Sequence, residues 1–132
     1  MRSAVAFGVH GILVPKHRSA QVNETVARAS AGATEHATIV HVTNLQRSIK
    51  ALANEGLITV GLDSTGTHAL SEIPKNRKGH VLVVGSEGKG LRRMVRERCD
   101  VLAHIPMQGP IASLNASVAA GIALYALRHR SF

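Results

Sequence analysis

Short apolar, β-branched runs alternate with stretches of helical spacing along this chain, and that alternation constrains the fold more than any other feature. The runs lie at residues 11–15, 38–42, 57–62, 80–85 and 101–105. Most are continuously apolar, which is typical of strands buried on both faces. Helical spacing is found at residues 24–31, 44–54, 91–98 and 113–130. The sequence therefore predicts an α/β fold, in which a parallel sheet is flanked by helices.

Length and charge narrow the possible classes. The chain has 132 residues, of which 45% are hydrophobic, so we expect one domain spanning residues 1–132. Lys and Arg number 16 against 8 for Asp and Glu, giving a formal net charge of +8. This excess favours a polyanionic partner, and nucleic acid is a simpler choice than an anionic membrane surface. Aromatic residues make up 2% of the chain, which argues against base stacking as the mode of recognition.

Cysteine, histidine and hydropathy exclude further classes. Cys99 is the single cysteine of the sequence, so an internal disulfide and a multi-thiolate zinc site are excluded, and a reducing cytoplasm is expected. The eight histidines do not have the spacing of metal ligands, so no metal site is predicted. The apolar stretch 111–127 falls short of the roughly 20 residues that span a bilayer, so a buried helix is expected and no membrane association.

Two segments are predicted to be scaffold. Asn44 is a plausible N-cap for the helix that follows it. Residues 64–78 contain Gly66, Pro74 and the basic cluster Lys75, Arg77 and Lys78, and are predicted to form an exposed connection.

The sharpest local feature is the sequence VLVVGSEGKGL at residues 81–91, a buried strand that runs into Gly85, Gly88 and Gly90 and then into a helix. Glycines let backbone N–H groups approach a ligand closely, and a helix N-terminus favours negative charge. The order G-x-x-G-x-G is not the dinucleotide fingerprint, and Lys89 lacks the following Ser or Thr of a phosphate loop. Either a binding site for a nucleotide-like ligand or a strand-to-helix turn without a ligand would explain this segment.

The second feature is the sequence IPMQGPIASLNASVAAGIALY at residues 105–125, where a strand ends in a loop that opens a helix. Ser113 is predicted to be the N-cap of this helix. Asn115 fits poorly in a core, and either a capping or a catalytic role would explain it.

Together these two segments resemble motifs 2 and 3 of the SpoU/TrmH family of S-adenosylmethionine-dependent RNA 2′-O-ribose methyltransferases. Residues 17–45 are similar to the bacterial 23S rRNA guanosine-2′-O-methyltransferases of the RlmB type. The resemblance covers nearly the whole chain. It implies a C-terminal deep trefoil knot, which composition cannot predict because knots are rare exceptions to ordinary chain topology.

The start of the chain departs from the family pattern. Family motif 1 reads N-x-G-x-x-x-R followed by a small polar residue and Ala, and Arg2-Ser3-Ala4 resembles its last three positions. The Asn and Gly have no counterpart. The first strand of the fold and a separate N-terminal RNA-binding domain are therefore expected to be missing, as in an N-terminally truncated fragment.

The resemblance also implies site residues. The cofactor S-adenosylmethionine would be held by Gly85, Ile105, Met107 and Leu114, largely through backbone groups. The catalytic set would be Arg2, Glu87, Ser113 and Asn115. A guanidinium has a pKa above about 12 and no acceptor, so Arg2 is assigned to phosphate binding and to a developing alkoxide. Glu87 would hold the site together or attract positive charge, with a solvated carboxylate as the alternative, and Ser113 and Asn115 would orient the 2′-hydroxyl.

Partners follow from the same resemblance. Basic side chains are expected to hold RNA, most simply rRNA, and a homodimer is expected to form through the C-terminal helix. The predicted RNA-binding set is Lys16, Arg18, Lys89, Arg92, Arg93 and Arg96, with His17, Lys75, Arg77 and Lys78 as further candidates. Small residues in that helix, Ala119, Ala120, Gly121 and Ala123, would allow close approach of a partner helix or fit an ordinary core.

The predicted activity is methyl transfer to a ribose 2′-hydroxyl, most simply that of a guanosine in 23S rRNA. The alternatives are a tRNA 2′-O-methyltransferase of the same family and a catalytically silent RNA-binding fragment. A nucleotide-binding enzyme that uses the glycine turn ranks lower, because both phosphate-binding patterns fail.

Overall fold

The computed structural model describes residues 2–16, 38–85, 90–111 and 114–128. The chain divides into two compact units, Met1–Leu45 and Gln46–Phe132. Parallel strands flanked by helices build both the sheet of the first unit and the sheet of the second. The predicted α/β class and the parallel pairing of the strands are confirmed.

The first unit contains a short helix and a two-stranded parallel sheet. Helix α1 spans Arg2–Ala6, strand β1 spans Ile12–Pro15 and strand β2 spans Ile39–Val42, with Ile12 paired to Ile39. Gly8 has a φ of 70° and the N–H of Val9 donates to the carbonyl of Ala4 at 2.9 Å. This is the left-handed glycine ending that closes many helices. The helix predicted at residues 24–31 lies outside the described residues.

The second unit is built around a four-stranded parallel sheet with strand order β4-β6-β3-β5. The strands are β3 at Ile58–Leu62, β4 at His68–Ala69, β5 at His80–Val83 and β6 at Val101–His104. Strand β3 is central, since it pairs with β5 from Ile58 to Gly61 and with β6 from Val60 to Leu62. Its three middle residues are buried, as a continuously apolar run predicts.

Three further helices accompany this sheet: α2 at Leu45–Asn54, α3 at Arg93–Arg98 and α4 at Ala116–Arg128. Asn44 lies immediately before α2, at the predicted cap position. Gly56, whose φ is 97°, follows the end of α2, and the N–H of Leu57 donates a hydrogen bond to the carbonyl of Leu52. Within the part of the chain that the structure describes, none of the helices is long and apolar enough to cross a membrane.

The prediction of an exposed connection at residues 64–78 is wrong in its middle. Strand β4 leads into a 3-10 helix at Leu70–Glu72, and Leu70 and Ile73 are 4% and 0% exposed. Both belong to the hydrophobic core, with Val60, Ala103, Ala123 and Leu127. The basic residues Lys75, Arg77 and Lys78 are exposed, as predicted.

We expect Ile73→Ala to lower the free energy of unfolding by about 2–5 kcal/mol, because the side chain is fully buried and its removal leaves a cavity. Urea denaturation followed by circular dichroism measures the loss. Ile111→Ala is the control, since Ile111 is 65% exposed and its truncation should change stability by less than about 0.5 kcal/mol. Equal small losses in both variants would mean that Ile73 is not part of the core.

Candidate functional site

The carboxyl ends of β3, β5 and β6 meet at one edge of the sheet, because all three strands run parallel and in register. Asp63 follows β3, Gly85 follows β5 and Ile105 follows β6. The glycine turn that begins at Gly85 and the loop that begins at Ile105 therefore lie at the same edge, on either side of β3. Ligands of open parallel sheets bind beyond this edge.

The two ends of the glycine turn after β5, Gly85 and Gly90, lie against each other. A Cβ atom placed on Gly85 would lie 2.1 Å from the carbonyl carbon of Gly90 and 2.5 Å from the nitrogen of Leu91. Gly90 has a φ of 67°, a backbone conformation that residues other than glycine rarely adopt. The two ends of the turn thus touch through backbone atoms, and both positions require glycine.

The loop after β6 is apolar and largely exposed. Ile105 is half-buried and packs against the core, whereas Met107 and Leu114 are 37% and 38% exposed and Ile111 is 65% exposed. Exposed apolar side chains beside a cluster of strand ends provide the lining that small-molecule sites favour.

Asn115 forms the N-terminal cap of α4. Its Oδ1 accepts hydrogen bonds from the N–H groups of Ser117 at 2.8 Å and Val118 at 3.4 Å, and its carbonyl accepts from Ala119 at 2.9 Å. These are the contacts of an N-cap residue. The prediction that Ser113 is the cap is wrong, because the helix begins at Ala116.

A loop that the sequence did not single out lies at the same edge, between β3 and β4. The Asp63 carboxylate accepts hydrogen bonds from the N–H and the hydroxyl of Thr65 at 2.8 and 2.7 Å. The hydrogen bond from the Thr65 hydroxyl lowers the pKa of Asp63, and this effect outweighs the burial of the carboxylate, which raises it. The other carboxylate oxygen of Asp63, Oδ2, lies 2.9 Å from Nη1 of Arg96. The sequence Asp-Ser-Thr-Gly at residues 63–66 is typical of such a turn and could have revealed it.

The remaining predicted site residues fall in different places. Arg2 is the first residue of α1, in the first unit. Glu87 and Ser113 lie outside the described residues, as do His17, Arg18 and Lys89. Lys16 is exposed at the end of β1.

Three arginines predicted to bind RNA lie at or within α3. Arg92 is exposed at the N-cap position, and Arg93 forms an exposed ion pair with Glu97 at 3.1 Å. Nη1 of Arg96 lies 2.9 Å from Oδ2 of Asp63. Among the described residues no group of three or more His, Cys, Asp or Glu side chains could hold a metal ion.

Cys99 is half-buried at the end of α3, where its thiol donates to the carbonyl of Val95 at 3.4 Å. Burial, with a smaller contribution from Asp100, raises the pKa of this thiol to about 11. A thiol with so high a pKa stays protonated near neutral pH and is a poor nucleophile. Cys99 is therefore a packing residue.

Comparison with known proteins identifies the class to which this arrangement belongs. The model of the SpoU rRNA Methylase family matches residues 1–125, across both units. The chain is 52% identical over 124 residues to a protein of Mycobacterium sp. (strain KMS) named as an uncharacterized tRNA/rRNA methyltransferase, covering 94% of this chain and 39% of that one. The chain therefore belongs to the SpoU rRNA methylase family.

Solved structures agree with this assignment. The SpoU methyltransferase AviRb from Streptomyces viridochromogenes, in complex with the cofactor AdoMet, has a TM-score of 0.84 and 30% identity, covering 97% of this chain and 52% of that one. An AdoMet-bound rRNA methyltransferase from Sinorhizobium meliloti has a TM-score of 0.86 and 28% identity, covering 97% and 49%. The chain spans about two fifths to one half of the length of these relatives.

Proposed function

We propose that this chain is the methyl-transferring part of an enzyme that uses S-adenosylmethionine to methylate a ribose 2′-hydroxyl of RNA. The observation that carries the proposal is the meeting of three loops at the carboxyl edge of the second sheet. One loop contains the glycine turn, and another presents exposed apolar side chains. Relatives of the same family with this fold bind AdoMet.

The residues at this edge fit the cofactor. Gly85 and Gly90 present backbone groups without side chains, which suits the donors and acceptors of adenine. Ile105, Met107 and Leu114 supply an apolar lining. When bound, S-adenosylmethionine supplies an electrophilic methyl group.

The protein's own contribution is alignment. A ribose oxygen must lie in line with the methyl carbon, and well-oriented reactants can gain about 7–11 kcal/mol from such positioning. Asn115, at the N-terminus of α4, is assigned to orienting the hydroxyl, with Ser113 beside it in sequence. Arg2 and Glu87 keep the roles that the family resemblance gives them. The excess of Lys and Arg supplies phosphate contacts.

The RNA-binding surface extends beyond one edge of the sheet. Arg92 and Arg93 lie at the start of α3, after the glycine turn, on the side of the candidate site. Lys75, Arg77 and Lys78 precede β5 and are exposed near its amino end. A guanosine of 23S rRNA is the proposed target.

The test is transfer of labelled methyl from S-adenosylmethionine to rRNA and, separately, to tRNA. Methylation of a 2′-hydroxyl removes the nucleophile of alkaline hydrolysis, so the label should survive in an alkali-resistant dinucleotide. Label in free nucleotides would indicate base methylation and contradict the proposal. Label in tRNA alone would support a tRNA 2′-O-methyltransferase.

Calorimetry distinguishes the methyltransferase from a silent RNA-binding fragment and from a nucleotide-binding enzyme. We expect S-adenosylmethionine to bind and ATP not to bind. Binding of S-adenosylmethionine or RNA without transfer would support the silent fragment. Preferential binding of ATP would support the nucleotide-binding enzyme.

We further propose that the chain forms a homodimer through α4. Val118, Ile122 and Tyr125 are 52%, 41% and 57% exposed and share one face of the helix. Ala123 and Leu127 are buried in the core of the second unit, so Ala123 serves the core and not a partner helix. An exposed apolar stripe on a helix is typical of an interaction surface.

Ile122→Glu is expected to weaken dimerisation by about a hundredfold or more, because twofold symmetry brings two carboxylates into one apolar interface. Sedimentation at micromolar concentration measures the shift from dimer to monomer. Ser117→Glu is the matched control, since it adds the same charge about 140° away around the helix. A monomeric wild-type chain, or an unchanged dimer of Ile122→Glu, would contradict the proposed interface.

A further inference from the structure

A set of polar contacts connects the loop that follows β3 with α3 and with the last residue of β6. We call this set the edge clasp, and its members are Asp63, Thr65, Gly66, Arg96 and His104. The family resemblance assigns a role to only one of them, Arg96, which it places on RNA. The contacts of the clasp indicate a different role.

Asp63 is the centre of the edge clasp, and both of its carboxylate oxygens are engaged. Oδ1 accepts two hydrogen bonds from Thr65, at 2.8 Å from the N–H and at 2.7 Å from the hydroxyl. Oδ2 accepts the contact from Nη1 of Arg96 at 2.9 Å. The carboxylate thus fixes the shape of its own loop with one oxygen and holds α3 with the other.

Gly66 fixes the other end of the same loop against β6. Its N–H donates to the carbonyl of Asp63 at 2.9 Å, and its carbonyl lies 2.8 Å from Nδ1 of His104, which therefore carries the proton. A Cβ atom on Gly66 would lie 2.6 Å from the carbonyl oxygen of Leu102. The loop after β3 consequently lies directly on the last residues of β6.

Arg96 connects this loop to the glycine turn. It lies on α3, the helix that follows the turn between Gly85 and Gly90, and the buried neighbour Val95 anchors that helix. The N–H of Arg96 donates to the carbonyl of Arg92 at 2.9 Å, so the arginine lies within one turn of the helix start. Any shift of α3 would move both the Arg96 contact and the end of the glycine turn.

Burial distinguishes this ion pair from an exposed one. The Asp63 side chain is 9% exposed and that of Arg96 is 39% exposed, whereas the pair of Arg93 and Glu97 is 90% and 59% exposed. An exposed pair contributes little, whereas loss of one partner from a partly buried pair leaves the other charge less well compensated. If Arg96 bound an RNA phosphate instead, the Asp63 carboxylate would keep only its hydrogen bonds from Thr65.

We propose that Asp63 and Arg96 are positioning residues, which hold the loop after β3 and the helix after the glycine turn in the arrangement that binds the methyl donor. The inference rests on the proposed function, because it names the same site. Arg96 acts through Asp63 and the loops and does not contact the RNA phosphates. The edge clasp thereby couples the loop after β3, the helix after the glycine turn and the end of β6.

The test compares affinity for the cofactor with affinity for RNA in single variants. We expect Arg96→Ala and Asp63→Ala each to raise the Kd for S-adenosylmethionine about tenfold, with the KM for RNA unchanged. The double variant should show no further loss, because either change alone breaks the same contact. Arg96→Lys should recover part of the affinity, since it keeps a cation within reach of Asp63.

Arg93→Ala provides the contrast on the same helix, because Arg93 is exposed and proposed to contact RNA. It should raise the KM for RNA, lower the salt dependence of binding by about one counterion and leave the cofactor Kd unchanged. The same pattern in Arg96→Ala would overturn the edge-clasp role and return Arg96 to the RNA-binding set.

Thr65→Val keeps the test decisive if the alanine variants do not fold. It removes the hydroxyl donor to Asp63 at an exposed position with little change in shape. A Kd for S-adenosylmethionine raised about threefold or more supports the clasp, and an unchanged Kd overturns it. If the wild-type chain binds no S-adenosylmethionine, the proposed function itself fails. If it binds and transfers while the variants bind equally well, only the edge clasp fails.

Discussion

Gly85→Ala is expected to weaken the binding of S-adenosylmethionine by about a hundredfold or more. The added methyl group would lie 2.1 Å from the carbonyl carbon of Gly90 and 2.3 Å from its oxygen, so the backbone of the turn must move. Neighbouring side chains cannot relieve this overlap, because the atoms it meets belong to the main chain. A displaced turn would lose two or three backbone contacts to the cofactor, and at about 1 kcal/mol each this loss corresponds to about a hundredfold in affinity. Calorimetry with S-adenosylmethionine measures the loss.

The control for this prediction is Gly11→Ala in the first unit. A Cβ atom there would lie 3.7 Å from the carbonyl oxygen of Thr38, which is an ordinary contact, and its φ is not in the left-handed region. Cofactor affinity should therefore remain within a factor of about two, a change of less than about 0.5 kcal/mol. Thermal unfolding of both variants shows whether they fold. A folded Gly85→Ala chain with wild-type affinity would mean that the glycine turn does not bind the cofactor.

The parallel strands could be predicted from the sequence, because burial on both faces leaves a continuous apolar run. The runs at 57–62, 80–85 and 101–105 became β3, β5 and β6, each shorter at its carboxyl end or its start by one or two residues. The short strand β4 at His68–Ala69 has two residues and leaves no such run. Strand order was not predictable either, since it depends on contacts between residues far apart in the chain.

The contribution of residues 70–73 to the hydrophobic core could not be predicted from the sequence, for a different reason. Leu70 and Ile73 are buried within a segment whose other members are mostly polar or exposed, among them Ser71 and Glu72. The composition of a window reflects most of its residues, which are polar here, whereas the two apolar residues make the core contacts. The Glu72 carboxylate also accepts a hydrogen bond from the N–H of Ala69 at 3.0 Å, which stabilises a local turn that periodicity cannot detect.

The predicted RNA-binding set was chosen from positive charge alone, without the partner of each side chain. Arg96 resembles Arg92 and Arg93 in sequence, and the positive charge of all three favours RNA. Only the fold brings Asp63 within 2.9 Å of Arg96, although the two residues are far apart in the chain. The Asp-Ser-Thr-Gly sequence that orients this carboxylate is typical of a turn, but it carries no information on the distant partner. If Arg96 is the positioning residue proposed above, its long-range pairing with Asp63 removes it from the residues that can bind a phosphate.

Asn115 presents two possible roles that one substitution can separate. Its Oδ1 caps α4 through Ser117 and Val118, and Asp, Asn and Ser cap helices about equally well. Asn115→Asp therefore preserves the capping oxygen and places a negative charge where the helix dipole favours it, while it removes the Nδ2–H donor. If this donor orients the ribose or stabilises charge on its oxygen, kcat should fall about 10²–10³-fold at saturating cofactor and RNA.

The companion variant Asn115→Ala removes the donor and the cap together. It should lose the same activity as Asn115→Asp and, in addition, about 0.5–2 kcal/mol of the free energy of unfolding. Single-turnover methyl transfer and urea denaturation on the two variants give activity and stability independently. Full activity in Asn115→Asp, together with reduced stability in Asn115→Ala alone, would assign Asn115 to the helix cap. The Nδ2–H of Asn115 would then have no part in the chemistry, because a carboxylate at this position caps the helix but cannot donate that hydrogen bond.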